Sequence, residues 1–188
     1  MTLLRIFATL VFSVLVSSSL HAADDYSKTT NIFKQSPAVQ PFFKNAYGYA
    51  VFPTIGKGGI GIGGAHGKGQ TYRGGKVSGS TKMTQVTIGL QFGGQAYSQI
   101  IFFKDKRAYD DFTSGNFEFG AQASAVAITA GATAQAGTTG AGGGATGGGT
   151  AGAQDASYYK GMAVFTHAKG GLMYEAAIGG QKFSFKPL

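Results

Sequence analysis

The chain has 188 residues, 16 lysines and arginines against 8 acids, 32 glycines, and neither cysteine nor tryptophan. Without cysteine there is no disulfide and no thiol chemistry, so packing and sheet hydrogen bonds must hold any exported domain together. The length suits one domain with a real core and is too short to expect two.

The first 22 residues read as a secretory signal: Arg5 supplies charge, residues 6–16 are apolar, and small residues at 17–22 precede a cut after Ala22 or Ala23. An apolar run of 11 residues is too short for a bilayer, which takes about 20. No cysteine follows that run for lipid attachment. The expected product is an exported, periplasmic domain over 23–188, soluble or peripheral to a membrane. Without Arg5 it carries 15 basic and 8 acidic residues, a net +7. Residues 26–104 contain no Asp or Glu, yet Lys28, Lys34, Lys44, Lys57, Lys68, Arg73, Lys76, Lys82 and Lys104 lie there. Such asymmetry presents a strongly positive region suited to phosphate-bearing partners.

Residues 26–46 are polar with aromatic punctuation, and Pro37 and Pro41 break them into two short helices. Phe42, Phe43, Ala46 and Tyr47 are placed to dock the second helix on the core. Tyr49-Ala50-Val51-Phe52 is a short strand stopped by Pro53. Residues 59–63 alternate glycine with Ile60 and Ile62, a strand with one bare face that another element can approach closely. Gly61 and Gly63 are therefore expected to reject larger side chains for steric reasons. Residues 70–73 and 76–80 flank Gly74-Gly75, a tight hairpin turn. Val86, Ile88, Leu90 and Phe92 mark the buried face of the next strand, with Thr87, Gly89 and Gln91 facing the other way. Gly93-Gly94 then turns the chain and residues 95–103 return it.

Ala108, Tyr109 and Phe112 fall at helical spacing within 104–113, and Gly115 ends that helix. Residues 117–129 read as strand. The segment 137–153, with 9 glycines between Gly137 and Gly152, buries too little to offset its ordering entropy and reads as a flexible loop. Residues 157–166, 170–178 and 182–185 read as three closing strands. Ala50-Val51-Phe52 followed by Lys57-Gly58-Gly59-Ile60 recurs as Ala163-Val164-Phe165 followed by Lys169-Gly170-Gly171-Leu172. Two hairpins sharing one turn chemistry fit this echo, and so does convergent use of lysine-glycine-glycine turns. The fold class is α+β, predominantly antiparallel β: a single compact domain with short N-terminal helices and one mid-chain helix.

Catalytic and nucleotide motifs fail on context. Gly59-x-Gly61-x-x-Gly64 lies inside a strand with no helix after it, and the first acid downstream is Asp105, so it does not bind a dinucleotide. Gly67-Lys68 lacks the first glycine and the hydroxyl of a phosphate-binding loop. Ser157-x-x-Lys160 precedes a strand and lacks its partner motifs. His66 and His167 have no metal-site spacing. Asp105, Asp110, Asp111 and Glu118 read as a solvated helix face, and nothing orients a nucleophile or base. No enzyme activity, cofactor, metal, nucleic acid or small-molecule substrate is expected.

The order of segments resembles the SYLF domain, a lipid-binding family also described for a yeast actin-binding member. The resemblance rests on Ala46-Tyr47-Gly48-Tyr49-Ala50-Val51-Phe52-Pro53, the glycine strand 58–64, Gly89-Leu90-Gln91-Phe92-Gly93-Gly94 and Ile100-Ile101-Phe102-Phe103. It continues through Ala108 and Phe112, residues 119–127, and Tyr159-Lys160-Gly161. It implies a compact domain of mostly antiparallel strands. Eukaryotic relatives bind phosphoinositides with help from a basic amphipathic N-terminal helix, which maps here to Lys28, Lys34 and Lys44 with Ile32, Phe33, Phe42 and Phe43. This chain departs from the pattern at Ile128-Thr129-Ala130-Gly131-Ala132, where the family often has Gly-Pro-x-Gly-Arg. Its signal also places it where phosphatidylglycerol, cardiolipin or lipopolysaccharide are the anionic ligands to hand.

The leading expectation is a non-enzymatic binder of anionic phospholipid or a membrane surface in the bacterial envelope. Its candidate contacts are Lys28, Lys34, Lys44, Phe42, Phe43, Lys57, Lys68, Arg73, Lys76 and Lys82. The alternatives are a small outer-membrane β-barrel, and an envelope scaffold for a protein partner that the sequence does not name.

Overall fold

The protein is described from a computed structural model covering residues 25–119, 126–128 and 158–188; the expected signal at 1–22 and the expected loop at 137–153 lie outside the described residues.

The polar N-terminal segment forms helix α1 over 25–34 and helix α2 over Gln40–Asn45. Pro37 separates them, as its ring requires. Pro41 sits in the first turn of α2, where a missing N–H costs nothing, so it starts a helix and does not break one.

Three long strands follow, far longer than the short runs expected from composition. Strand β1 is Gly48–Arg73, β2 is Lys76–Phe103, and β5 is Met162–Pro187. Two short strands, β3 (Phe117–Phe119) and β4 (Val126–Ile128), flank β5. The sheet order is β1-β2-β5-β3, with β4 beside β5. All pairings are antiparallel except β4 with β5. Gly74 and Gly75, at φ of 56° and 76°, make the expected tight turn.

Three expected chain breaks are therefore corrected. Pro53 does not stop a strand: it lies in a bulge between Phe52 and Ile55, where β1 has one extra residue and a missing N–H breaks no ladder bond. Gly93-Gly94 does not turn the chain but pairs with Gly59 and Gly58. Residues 162–166, 170–178 and 182–185, expected in three closing strands, are parts of one strand, β5. The internal echo has a different origin from paired hairpins. Strands β1 and β5 flank β2 in the same direction, so Ala50-Val51-Phe52 and Ala163-Val164-Phe165 both lie beside residues 99–102.

The ribbon then doubles over on itself. Between Ile60 and Ile62, β1 advances two residues while β2 advances four, from Phe92 to Ile88. Gly61 takes the left-handed φ of 70° at this crease. Beyond it, the second half of β1 runs back along the first. A Cβ at Gly69 would lie 2.7 Å from the Val51 carbonyl oxygen, and one at Gly67 would lie 3.1 Å from the Thr54 carbonyl oxygen. Gly48 abuts the Tyr72 carbonyl, and Gly59 abuts Gly63, in the same way. Glycines line this seam because a side chain would separate the two halves. Gly61 is not among them: a Cβ there meets nothing within 4 Å, so its requirement is backbone conformation, and the expected steric reason is wrong.

Folding over creates the core. Ala50, Phe52, Ile55, Ile101 and Phe103 of the first half face Ala65, Met83 and Phe183 of the second. The rings of Phe52 and Phe183 are 5.7 Å apart. Helix α3 (Lys106–Thr113) closes this core with Ala108, Tyr109 and Phe112. On the outer side, Val51, Ile100, Phe102 and Phe165 are covered by Phe33, Val39 and Phe42 from α1, α2 and the turn between them. The outer surface continues around the seam, where Tyr49 stacks on Tyr72 at 4.8 Å and 14°. Burial first, then the nearby Tyr49 and Tyr26, push the Tyr72 hydroxyl up to about 12.

Asp105 caps α3 by accepting the Ala108 N–H at 2.9 Å. Replacing it with Ala should cost about 1 kcal/mol, a fall of roughly 2–4 °C in thermal midpoint. Asp105→Asn, which keeps the acceptor, should retain most of that stability in the same melting experiment.

Candidate membrane-facing surface

Alternation along β1 and β2 decides which side chains reach the outer face of the second half. Ala65, Gly67, Gly69 and Thr71 are buried, so His66 and Lys68 point outward. Thr81, Met83 and Thr87 are buried, so Lys82 and Thr84 point outward with them. The register then assembles rows across three strands: Lys68 opposite Lys82 and Ser184, and His66 opposite Thr84 and Lys182. Gln70 lies opposite Ser80 and Lys186, and Arg73 opposite Lys76 at the hairpin. Lys68, Arg73, Lys76, Lys82, Lys182 and Lys186 are exposed. Glu118 pairs with Lys182 at 3.2 Å. Asp110 and Asp111 pair with Lys106 and Arg107 on α3.

Toward the crease this outer face becomes apolar. Val86, Ile88 and Phe92 of β2 are 61%, 67% and 65% exposed, and Ile60 and Ile62 of β1 are 77% and 68% exposed. This corrects the expected burial of Val86, Ile88 and Phe92; the side chain of Leu90 lies outside the described residues. Alternation fixed a face but not which face is covered. The opposite face holds Thr87, which is 1% exposed and points into the fold. Gln99 donates to Gln181 at 3.2 Å, and Gln181 donates to Gln85 at 3.4 Å. Around residues 85–88 the inner face is thus polar, with Thr87 and Gln85, and the outer face apolar, with Val86 and Ile88.

The expected site residues divide into two groups. Lys28, Lys34 and Lys44 are exposed on α1 and α2. Their aromatic companions face inward: Phe42 is buried against Phe102 and Phe165. Phe43 is half-buried against Tyr49 and Phe102, with the Lys34 ammonium 5.6 Å from its ring centre. Lys68 and Lys82 lie on the outer face of the second half, Arg73 and Lys76 are exposed at the hairpin end of the ribbon, and half-buried Lys57 lies near the crease. Arg73 sits 5.7 Å from the Tyr109 ring. The sequence reading did not include Ile60, Ile62, Val86, Ile88 and Phe92; their periodicity was visible, but their exposure depends on the fold.

His167 is half-buried, and its Nδ1 has no hydrogen-bond partner. Burial, then the Lys169 charge, lowers its pKa. The depressed folded pKa means full stability above the unfolded value near 6.5, lost as pH falls through the lower folded pKa. Urea midpoints should decline on acidification below 6.5, and less so in His167→Gln.

No three His, Asp or Glu side chains cluster as metal ligands among the described residues. None of the described helices is long and apolar enough to cross a membrane. What the geometry offers is a surface of charge and apolar contact on a rigid ribbon, the means of a binding domain. Residues 84–185 match the Ysc84 family, described as Las17-binding protein actin regulator. The chain belongs to this family, the Ysc84 or SYLF family. It is also similar to beta cell expansion factor A of Aeromonas veronii, 29% identical over 161 residues, covering 81% of this chain and 51% of that protein. The chain thus spans about half the length of that curated relative. No solved structure matches it.

Proposed function

We propose that this protein is a non-enzymatic, anionic-lipid-binding domain of the bacterial envelope, exported to the periplasm and peripheral to a membrane. The observation that carries this reading is the set of lysine rows on the outer face of the second half of the ribbon. Two like charges directly opposite each other, Lys68 and Lys82, are unfavourable within a sheet and become favourable over an array of phosphates. Each lysine near an anionic membrane contributes about 1 kcal/mol, so four give ~4 kcal/mol and millimolar binding. Family membership supports a lipid- or actin-binding role, and the proposed periplasmic location favours lipid.

The outer-membrane barrel reading has less support. The outer face carries helices over one half of the ribbon and lysine rows over much of the other, where a barrel needs a continuous apolar band. Sedimentation tests the proposal. Purified protein should pellet with phosphatidylglycerol vesicles at low salt and not with phosphatidylcholine vesicles, and salt should weaken the binding. Equal pelleting with both would remove the electrostatic account.

A further inference from the structure

The lysine rows end at a feature that electrostatic adsorption does not use. Ile60, Ile62, Val86, Ile88 and Phe92 form one exposed apolar edge at the crease where the ribbon doubles over. Ile62 lies opposite Ile88, and Ile60 opposite Phe92. We infer that this crease inserts into the outer part of an anionic bilayer while the lysine rows hold the headgroups; the inference rests on the lipid-binding reading above.

Four observations converge on this edge. Polarity is inverted there, with Val86 and Ile88 outside and Thr87 inside. Gln85, two residues from Thr87, accepts a hydrogen bond from Gln181 on the same stretch of sheet. Apolar-out and polar-in alternation is the pattern of strands that face lipid, and the reverse of a strand covering a water-soluble core. The apolar stretch is also short. On β2 it covers positions 86–92, fewer than the 9–11 residues of a membrane-spanning strand, which suits entry into one leaflet only.

Position is the third observation. The crease lies nine residues along β1 from Val51, where the helices dock; at 3.3 Å per residue that is about 30 Å of strand, so insertion need not disturb the packed end. Charge is the fourth. Lys68 and Lys82 lie on the same outer face, six residues from Ile62 and Ile88. That separation, roughly 20 Å of extended strand, exceeds the roughly 5–8 Å headgroup layer of one leaflet, so the strands enter obliquely, with the lysines at the phosphates and the edge in the upper acyl chains. A second copy of this chain is a poorer occupant of the edge, because pairing two copies there would bring the lysine rows of both together. An anionic surface neutralises them.

The chain contains no tryptophan, so Phe92→Trp places a single indole on the edge. The expected result is a blue-shifted indole emission with phosphatidylglycerol vesicles, quenched by lipids brominated in the acyl chains. The neutral double variant Ile62→Ser/Ile88→Ser should keep its melting temperature and its pelleting at low salt. At high salt, where lysine attraction is screened, it should bind at least about tenfold more weakly than the parent. If the parent pellets while the indole stays at its aqueous wavelength and unquenched, the insertion is wrong and the adsorption reading survives. If the parent does not pellet with phosphatidylglycerol at all, both fail. A concentration-dependent dimer in lipid-free buffer, abolished by Ile62→Ser/Ile88→Ser, would assign the edge to a second copy and overturn the inference.

Discussion

Gly69→Ala should destabilise the protein by about 3 kcal/mol, against a change of less than about 1 kcal/mol for Gly56→Ala. A single methyl group separates these variants from the parent, and both glycines lie in β1. At Gly69 the added Cβ would sit 2.7 Å from the Val51 carbonyl oxygen and 2.7 Å from the Cδ1 and Cε1 atoms of Phe52. The carbonyl belongs to a paired strand, and the Phe52 ring is fully buried against Phe183, so neither neighbour yields without opening the doubled ribbon. At Gly56 a Cβ meets nothing within 4 Å. The residue there is exposed, and alanine mainly restricts the unfolded chain, which favours folding slightly. Urea unfolding of the two variants measures the difference directly. Equal losses would mean that the two halves of β1 do not meet along this seam.

Gly61 separates the two uses of glycine in this chain. Its left-handed φ of 70° disfavours a β-branched residue whatever the space around it. Gly61→Val should therefore cost about 1–2 kcal/mol through backbone strain, and Gly61→Asn less, because asparagine visits that region more readily. A steric seam would penalise both according to size.

Local patterns with local causes were legible in the sequence. The Gly74-Gly75 turn, helix α3 with its three buried residues, and the helical break at Pro37 all depend on neighbours within a few positions. The family was legible too, from segments in order. What sequence could not supply was the continuity of the strands and the direction of the sheet faces. Glycine pairs that end hairpins elsewhere here pair with other glycines across the ladder, as Gly58 and Gly59 do with Gly94 and Gly93. Three long strands thus look like nine short ones.

The site shows the same limit. Period-two alternation at Val86, Ile88 and Phe92 identifies a common face, and the usual rule puts an apolar face inside. The rule fails here because the covered face beside these residues is polar: Thr87 is buried, and Gln85 accepts a hydrogen bond from Gln181. The N-terminal aromatics have two readings, docking on the core and contact with a membrane. Phe42 and Phe43 dock α2 on Phe102, as the first of those readings expects.

Reversing charge on the ribbon should therefore weaken vesicle binding far more than reversing it on the helices. Lys68→Glu/Lys82→Glu replaces two attractions of about 1 kcal/mol each by two repulsions, a total of ~4 kcal/mol and on the order of a thousandfold in affinity. Lys28→Glu/Lys34→Glu/Lys44→Glu changes three charges, but charges more than a Debye length of ~8 Å from the bilayer are screened, so less than about tenfold is expected. Vesicle pelleting at fixed ionic strength compares the two, and a larger effect from the helices would return the contact to the N-terminal segment. The single variant Lys82→Glu separates binding from folding most cleanly. It turns an unfavourable cross-strand pair with Lys68 into an opposite-charge pair, which should raise stability by about 0.2–1 kcal/mol in urea. The same change should lower affinity for phosphatidylglycerol vesicles. Stability and binding moving in opposite directions would mean that the fold keeps two lysines face to face for the sake of what lies outside it.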